Sequence, residues 1–174
     1  KRQARQGADV LLQEEPLRFQ TRKQVGLLGG NFNPVHLAHL VMADQVQNQL
    51  GLDKVYLMPT YLPPHVDEKK TISSEHRLAM LELAVADNPC LDIEPIELIR
   101  KGKSYTYDTM KALKEANPDT DYYFIIGGDM VEYLPKWPRI DDLLHLVQFV
   151  GIRRPNYPQE STYQIIWVDV TKMA

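Results

Sequence analysis

Residues 25–39 read VGLLGGNFNPVHLAH. The first residues are apolar or glycine and predict a short buried strand, and Gly29-Gly30 predict a tight turn after it. We expect a helix to follow, with Pro34 at its entry and Gly51 as its C-terminal cap. A strand, a glycine turn and a helix N-terminus in this order bring free backbone N–H groups to one place. Such a place can bind a phosphate group.

Two histidines, His36 and His39, occur where this helix should begin. A spacing of three residues puts both rings on one face of the first turn. Two imidazoles beside backbone amides and a helix dipole suit a reacting polyphosphate. Zinc binding by the pair is the alternative, but no Cys or carboxylate follows at the spacing of a third metal ligand. The pattern therefore favours phosphate.

The composition limits the class of protein. The chain has 174 residues, 44% hydrophobic and 25% charged, which is typical of one globular domain. Its net charge of −3 argues against a broad nucleic-acid surface. The single cysteine, Cys90, excludes an intrachain disulfide and is usual in a reducing compartment. Since we also find no membrane-length apolar run and no signal-peptide pattern, we expect a cytoplasmic protein without membrane contact.

Strand and helix patterns alternate along the rest of the chain. A Pro-rich loop is expected over 59–71. Predicted strands are 24–28, 54–58, a broken region at 91–99, 121–126, 148–152 and 164–168, and predicted helices are 34–50, 73–86, 104–116 and 140–146. Ser73 or Ser74, and Ser104 or Thr106, are expected to cap the second and third helices. Alternation of this kind predicts an α/β, Rossmann-like three-layer fold with a mostly parallel central sheet.

Residues 1–23 differ from the remainder because they are rich in Lys, Arg and Gln. We expect a poorly ordered N-terminal extension here, since chain ends are the usual place for disorder. A basic arm that contacts a partner is the alternative. The folded domain is then predicted to cover residues 24–174.

The stretch Gly29-Gly30-Asn31-Phe32-Asn33-Pro34-Val35-His36-Leu37-Ala38-His39 resembles the signature of the nucleotidyltransferase superfamily with the HxGH-type site. More narrowly, the chain resembles the bacterial nicotinate-mononucleotide adenylyltransferases. Segments that agree with this family are Pro59 with Pro63-Pro64-His65, His76-Arg77 with Met80-Leu81, Ser104–Thr109, Phe124–Met130, Leu134–Trp137 and Arg153–Pro155. Together they span nearly the whole chain from Gln24 to Val170.

This resemblance implies transfer of AMP from ATP to nicotinate mononucleotide, which yields nicotinate adenine dinucleotide and pyrophosphate in NAD biosynthesis. It implies catalytic roles for His36 and His39. The ATP-binding residues it implies are Gly29, Gly30, Phe32, His36, His39, Gly127 and Arg153. The mononucleotide-binding residues it implies are Thr106, Asp129, Trp137, His65 and Arg77. Mg²⁺ is expected to bind through the ATP phosphates and not through protein side chains.

Individual roles on the acceptor side are also implied by the resemblance. Trp137 would stack on the pyridine ring, the Thr106 backbone N–H would bind the nicotinate carboxylate, and Asp129 would bind ribose hydroxyls. Each has a structural alternative: core packing for Trp137, a helix cap for Asp129, and a solvated helix position for Arg77.

Three departures from the family pattern affect these expectations. The chain stops at Ala174, where the family has a Ser-Ser/Thr-x-x-Arg motif, and it starts at Lys1 without Met, so we expect an incomplete chain with weakened activity. Pro138 has no N–H to offer a pyridine carboxylate, which leaves acid or amide preference open. Val66 stands where a lysine is common, and Lys69 or Lys70 could compensate.

Other functions stay open at this point. A sister nucleotidyltransferase could use nicotinamide mononucleotide or phosphopantetheine as acceptor, or a cytidylyl donor, and a truncated nucleotide-binding module would have little activity. Self-association is common in the family, but the sequence contains no diagnostic interface. A homo-oligomer therefore stays open as well.

Overall fold

The computed structural model describes residues 22–61, 72–153 and 161–170. In this part of the chain six strands form one wholly parallel sheet in the order β3-β2-β1-β4-β5-β6. The strands are β1 (Lys23–Gly30), β2 (Lys54–Pro59), β3 (Leu91–Ile93), β4 (Thr120–Gly127), β5 (Val147–Ile152) and β6 (Ile165–Val168). The predicted α/β class is confirmed, and the sheet is more uniform than the mostly parallel one expected.

Helices connect the strands and cover the sheet. Over the described residues they are α1 (Leu37–Leu50), α2 (Ser74–Val85), α3 (Ile96–Arg100), α4 (Thr106–Ala116), a 3₁₀ helix (Gly128–Lys136) and α5 (Ile140–Leu143). No helix in these ranges is long and apolar enough to cross a membrane.

The core lies on both faces of the sheet because successive side chains of a strand point to opposite faces. Leu27 of β1 belongs to a cluster that contains Met110 of α4 and Leu134 of the 3₁₀ helix. Leu28, the next residue, packs in a second cluster with Val46 of α1. Burial on both faces explains why the inner strands are continuously apolar, as in other parallel sheets. The result is the three-layer arrangement that the sequence predicts.

Strand β1 occupies the centre of the sheet and pairs with β2 on one side and β4 on the other. Its Gly26 allows close packing, because a Cβ at this position would lie 2.9 Å from Val55 and 3.3 Å from Ile125. The chain order changes direction between β1 and β4, and such a switch point opens a crevice at the carboxyl ends of the strands.

Two predicted caps are confirmed. Gly51 ends α1 in the left-handed conformation, with φ 65° and ψ 35°. Ser73 precedes α2, and its hydroxyl accepts a hydrogen bond from the His76 backbone N–H at 3.3 Å. Both follow local rules that need no tertiary context.

Other helix starts differ from the prediction. Pro34 lies in a turn before α1 rather than at its entry, and His36 is the N-cap residue. Tyr105 precedes α4, so neither Ser104 nor Thr106 caps that helix with its side chain. Thr106 is instead the first helical residue, which leaves its backbone N–H at the helix start.

Two elements were not expected. The predicted broken strand at 91–99 ends at Ile93, and α3 begins after Pro95, whose fixed φ suits a helix start. The 3₁₀ helix contains Pro135, and its buried residues Gly128, Val131 and Leu134 recur every three residues, as i→i+3 geometry requires.

The predicted boundary of the folded domain moves slightly. Strand β1 begins at Lys23, and Arg22 forms an ion pair with Asp121 of β4, so both residues join the folded part. The predicted N-terminal extension otherwise lies outside the described residues. Of the predicted loop at 59–71, Pro59 belongs to β2 and residues 62–71 are also outside the described ranges.

Candidate active site

A cavity of about 410 Å³ opens at the carboxyl ends of β1, β2 and β4. It is lined by Leu28, Gly29, Gly30, His39, Met42, Met58, Thr60, Glu97, Ser104, Thr106, Phe124, Ile125, Ile126, Gly127, Met130 and Trp137. The crevice predicted from the strand order is therefore a real space, and segments far apart in the sequence share its wall.

The turn after β1 forms one end of the cavity. Gly29 and Gly30 line it with bare backbone, and Phe32 follows in a positive-φ conformation of 46°. The Phe32 side chain is buried, and its ring meets His39 edge to face with centroids 4.9 Å apart. Phe32 thus packs against His39 and, although predicted to bind ATP, is absent from the cavity wall.

The two histidines lie side by side, as their spacing predicts. The His36 backbone N–H donates to Nδ1 of His39 at 3.0 Å, and the two rings are nearly parallel with centroids 5.7 Å apart. His39 lines the cavity, whereas the His36 side chain is exposed and is absent from the cavity wall. The hydrogen bond fixes the His39 ring in one orientation.

Two effects keep His39 neutral near pH 7. Burial lowers its pKa, and the neighbouring His36 lowers it further. Because Nδ1 accepts a hydrogen bond, the proton of the neutral ring is assigned to Nε2. Neutral His39 can therefore donate Nε2–H toward an anionic oxygen without carrying a charge of its own.

The start of α1 adds further donors. The N–H groups of Leu37 and Ala38 precede any intrahelical acceptor, and the positive end of the helix dipole is here. This 14-residue helix therefore offers an anion site beside the histidines.

Arg77 is placed differently from both predicted roles. Its side chain is fully buried, and its guanidinium donates to the carbonyl oxygens of Asn31, Thr60 and Ile72 and to Ser74 Oγ at 2.7–3.2 Å. It is thus neither a solvated helix residue nor exposed to a mononucleotide. Arg77 instead ties the turn after β1 to the end of β2 and to α2.

The other end of the cavity lies between α4 and the 3₁₀ helix. It continues into a cleft of about 210 Å³ lined by Ser104, Tyr105, Thr106, Trp137 and Pro138. The predicted acceptor residues Thr106 and Trp137 therefore line the same cleft.

Trp137 both packs in the core and faces the cavity, so the structural and the ligand-stacking interpretations are compatible. Its ring packs edge to face on Phe124 and Phe149, with centroids 6.0 and 5.9 Å away, so one side is anchored in the core. The ring is only partly buried and lines the cavity as well. A ring held in this way can receive a flat ligand with little loss of side-chain entropy.

The remaining predicted site residues are scattered. Gly127 lines the cavity, and a Cβ there would lie 2.8 Å from Oδ1 of the partly buried Asp129. Arg153 is exposed, forms an ion pair with Asp169 at 3.8 Å and is absent from the cavity wall. His65 lies outside the described residues.

Glu97 is a cavity residue that sequence reasoning missed. It is only 5% exposed, and burial raises its pKa, while hydrogen bonding from Thr109 and the charge of Arg100 lower it. The segment around it is rich in charged residues and looks like a solvated surface. A Glu followed three residues later by Arg is the one available signal, and it is weak.

The described residues contain no group of three or more His, Cys, Asp or Glu side chains that could hold a metal ion. The donors around the cavity are amides, hydroxyls and imidazoles, which suit an anionic ligand better than a bare cation. The described residues therefore offer no metal site of their own at the cavity.

Comparison with known proteins identifies the family of the chain. The family model described as cytidylyltransferase-like matches residues 27–173. An Enterococcus faecalis protein named "Probable nicotinate-nucleotide adenylyltransferase" is 97% identical over 174 residues, which are 100% of this chain and 80% of that protein. The chain belongs to the nicotinate-nucleotide adenylyltransferase family. A family member of the same name from Streptococcus pneumoniae is 66% identical over 92% of this chain and 77% of its own.

Solved structures agree on the fold of this nucleotidyltransferase. A Plasmodium falciparum nicotinic acid mononucleotide adenylyltransferase complexed with NaAD matches with a TM-score of 0.71 at 19% identity. The match covers 87% of this chain and 77% of the other. The same enzyme complexed with APC matches with the same TM-score at 18% identity. Members of the family generally use a divalent metal ion.

Proposed function

We propose that the protein transfers the AMP group of ATP to nicotinate mononucleotide and releases pyrophosphate. The observation that carries this proposal is the continuity of one cavity from the glycine turn and His39 to Thr106 and Trp137. One space can then hold a triphosphate at one end and a pyridine nucleotide at the other. Names and bound molecules of the relatives, such as NaAD in the Plasmodium enzyme, support the same reaction.

The triphosphate would bind at the start of α1. Gly29 and Gly30 would allow close approach of the phosphates, and the N–H groups of Leu37 and Ala38 at the start of α1 would donate to them. His39 would donate Nε2–H to a phosphate oxygen, and the exposed His36 beside it would contact the outer phosphates. Gly127 and, more loosely, Arg153 would border the adenosine part.

The reaction needs no protein nucleophile. A phosphate oxygen of the mononucleotide forms a bond to the α-phosphorus of ATP, and the bond from that phosphorus to the bridging oxygen of pyrophosphate breaks. Negative charge increases on the leaving pyrophosphate. Donors already aimed at that position by the fold, above all His39 Nε2–H, stabilise the transition state more than the ground state.

The acceptor would lie against α4 and Trp137. Stacking of the electron-poor pyridinium ring on the indole is favourable, and the Thr106 N–H at the helix start suits a carboxylate. Asp129, beside Gly127, would accept hydrogen bonds from ribose hydroxyls. Pro138 offers no N–H at this end, so the carboxylate must rely on other donors.

For the metal ion we propose Mg²⁺, held by the ATP phosphates and water. This choice is supported by the donor set, since no described carboxylate cluster could hold the ion by itself. When bound, Mg²⁺ would neutralise phosphate charge, and the protein's own contribution is to orient the two substrates.

Pyrophosphate release tests the proposal. The protein is incubated with ATP, Mg²⁺ and nicotinate mononucleotide, and nicotinate adenine dinucleotide is identified by chromatography. We expect turnover with this pair and little with CTP or phosphopantetheine. His39→Asn keeps an acceptor for the His36 N–H but loses the imidazole, so kcat should fall by about 10²-fold or more.

His145→Asn is the matched control, because His145 is exposed and lies near the start of β5, at the opposite end of the sheet. Its kcat should equal that of the wild type. The proposal is wrong if the protein with both substrates releases no pyrophosphate. The role of His39 is wrong if the His39→Asn variant retains wild-type kcat.

A further inference from the structure

A chain of polar side chains runs behind the acceptor end of the cavity. Thr109 Oγ1, fully buried on α4, donates to Glu97 Oε2 of α3 at 2.8 Å. Arg100 Nη2 donates to the same Thr109 oxygen at 2.6 Å and to Ser104 Oγ at 3.0 Å. Glu97 and Ser104, at the two ends of this chain, both line the cavity.

We infer that Glu97, Thr109 and Arg100 are positioning residues of the acceptor site, which hold the Ser104 hydroxyl as a hydrogen-bond donor for the pyridine carboxylate. The inference rests on the proposed function and deepens it. It assigns a specificity role to Ser104, at the end of the cavity where Pro138 has no N–H to give.

The direction of each hydrogen bond supports this assignment. Arginine can only donate, so both Thr109 and Ser104 must use a lone pair to accept from Arg100. Thr109 then gives its single proton to Glu97. Ser104 has one proton left, and no described residue accepts it, while Ser104 itself lines both the cavity and the adjoining cleft. A carboxylate oxygen of the acceptor can take it.

This network of hydrogen bonds among Glu97, Thr109, Arg100 and Ser104 also fixes the loop that carries Ser104. After α3 the chain passes through Lys101 and Gly102, which both have positive φ, 60° and 68°. A lysine in this conformation is strained, and other contacts must hold it. The bonds from Arg100 to Thr109 and Ser104 link α3 to α4 across this turn, and so set where the α4 N-terminus lies.

Charge should make the acceptor site selective for the acid mononucleotide over the amide. A hydroxyl that accepts from a cation becomes a stronger donor, and a stronger donor gains more from a carboxylate than from a carboxamide. Arg100 also offsets the negative charge of Glu97, which would otherwise face an anionic acceptor from the cavity wall. The acid mononucleotide should therefore depend on this network more than the amide does.

The test measures the Kd of nicotinate mononucleotide by calorimetry and the kinetic constants for both substrates. Thr109→Val keeps the shape of the side chain and removes the hydroxyl that joins Glu97 to Arg100. The Kd and KM for the mononucleotide should therefore rise about tenfold. The KM for ATP and kcat should stay within about twofold. Thr120→Val, another buried threonine, at the opposite end of the sheet, should change neither.

A double-mutant cycle on exposed Arg100 tests whether it acts through Ser104. Arg100→Ala and Ser104→Ala should each raise the KM for the acid more than that for nicotinamide mononucleotide, and the double variant should be no worse than the more affected single variant. Glu97→Gln can still accept from Thr109 and should retain most affinity, whereas Glu97→Leu should not. Additive losses, or equal effects on both substrates, would overturn the inference.

The outcomes separate the inference from the proposed function. A wild type that binds the mononucleotide but releases no pyrophosphate contradicts the proposed reaction alone, since the Kd series still tests the network. A wild type that turns over, with Thr109→Val and Arg100→Ala unchanged in mononucleotide Kd, contradicts the inference alone. Failure of the wild type to bind the mononucleotide overturns both.

Discussion

The protonation of one imidazole shows how closely the local contacts define this site. His39 has its Nδ1 occupied by the His36 backbone N–H, its ring edge against Phe32 and its other side on the cavity. Each contact follows from the short interval between the glycine turn and α1. A neutral ring with a fixed tautomer can donate to phosphate over the whole physiological pH range.

A first prediction concerns pH and stability. The pKa of His39 is lowered in the folded protein by burial and by His36, so the unfolded chain binds its proton more tightly. The stability this group contributes is fully present above its unfolded pKa, about 6.5, and is lost as the pH falls through that value toward the folded pKa. Urea unfolding of wild type and His39→Asn from pH 8 to 5 should show the wild type losing more. If the free energy of unfolding changed with pH in the same way for both proteins, the prediction would be wrong.

Arg77 is the second residue for which the structure predicts a large effect. Removing its guanidinium leaves the carbonyl oxygens of Asn31, Thr60 and Ile72 without their donor. Arg77→Met should therefore cost about 3 kcal/mol or more in urea unfolding. Since the turn after β1 is also released, the KM for ATP should rise.

Arg22→Met is the comparison for Arg77→Met. The ion pair of Arg22 with Asp121 is exposed to solvent, so its loss should destabilise the protein much less than Arg77→Met does. Equal destabilisation by the two variants would show that the buried hydrogen bonds of Arg77 are not needed to hold the turn.

At the scale of the element, β1 contains two glycines that serve different purposes. A Cβ on Gly26 would lie 2.9–3.3 Å from three core side chains, whereas the nearest atom to one on Gly29 is 3.8 Å away. Gly26 is therefore needed for packing. Gly29 has room for a methyl group, but that group would point toward Phe124 and Met58, which line the cavity.

These glycines make a matched pair of variants. Gly26→Ala should lower the free energy of unfolding by about 1–3 kcal/mol and leave the activity of the folded fraction unchanged. Gly29→Ala should keep the thermal unfolding midpoint of the wild type and raise the KM for ATP. Thermal unfolding and steady-state kinetics on both variants check the pair, and the reverse assignment of effects would refute it.

The elements that the sequence predicts well are those with a local signal. Gly51 and Ser73 act through their own backbone conformation or hydroxyl, and the apolar strands are continuous enough to locate within a few residues. The short α3 and the 3₁₀ helix lack such a signal, because Pro95 and Pro135 read as loop residues. Their positions depend on packing against the sheet, and a short stretch of sequence carries no information about that packing.

At the scale of the whole molecule, the site is only half visible in the sequence. The turn and the histidines are contiguous, so residues 29–39 predict one end of the cavity. The other end combines Glu97, Ser104 and Trp137 from three separate segments. Their proximity depends on how α3, α4 and the 3₁₀ helix pack, and the resemblance to a family supplied Trp137 where residue patterns could not. Arg77 was misjudged because burial of a charged residue is not readable from its neighbours.

The central position of β1 has a consequence for how the protein can vary. Substitutions on β3 or β6 disturb one flank of the sheet and leave the opposite flank aligned. A displacement of the carboxyl end of β1, at Leu28–Gly30, would reach β2 and β4 together, and with them residues on both sides of the cavity. Substitutions among natural relatives should therefore concentrate on the edge strands β3 and β6. A variant that displaces this end of β1 should weaken the binding of ATP and of the mononucleotide together.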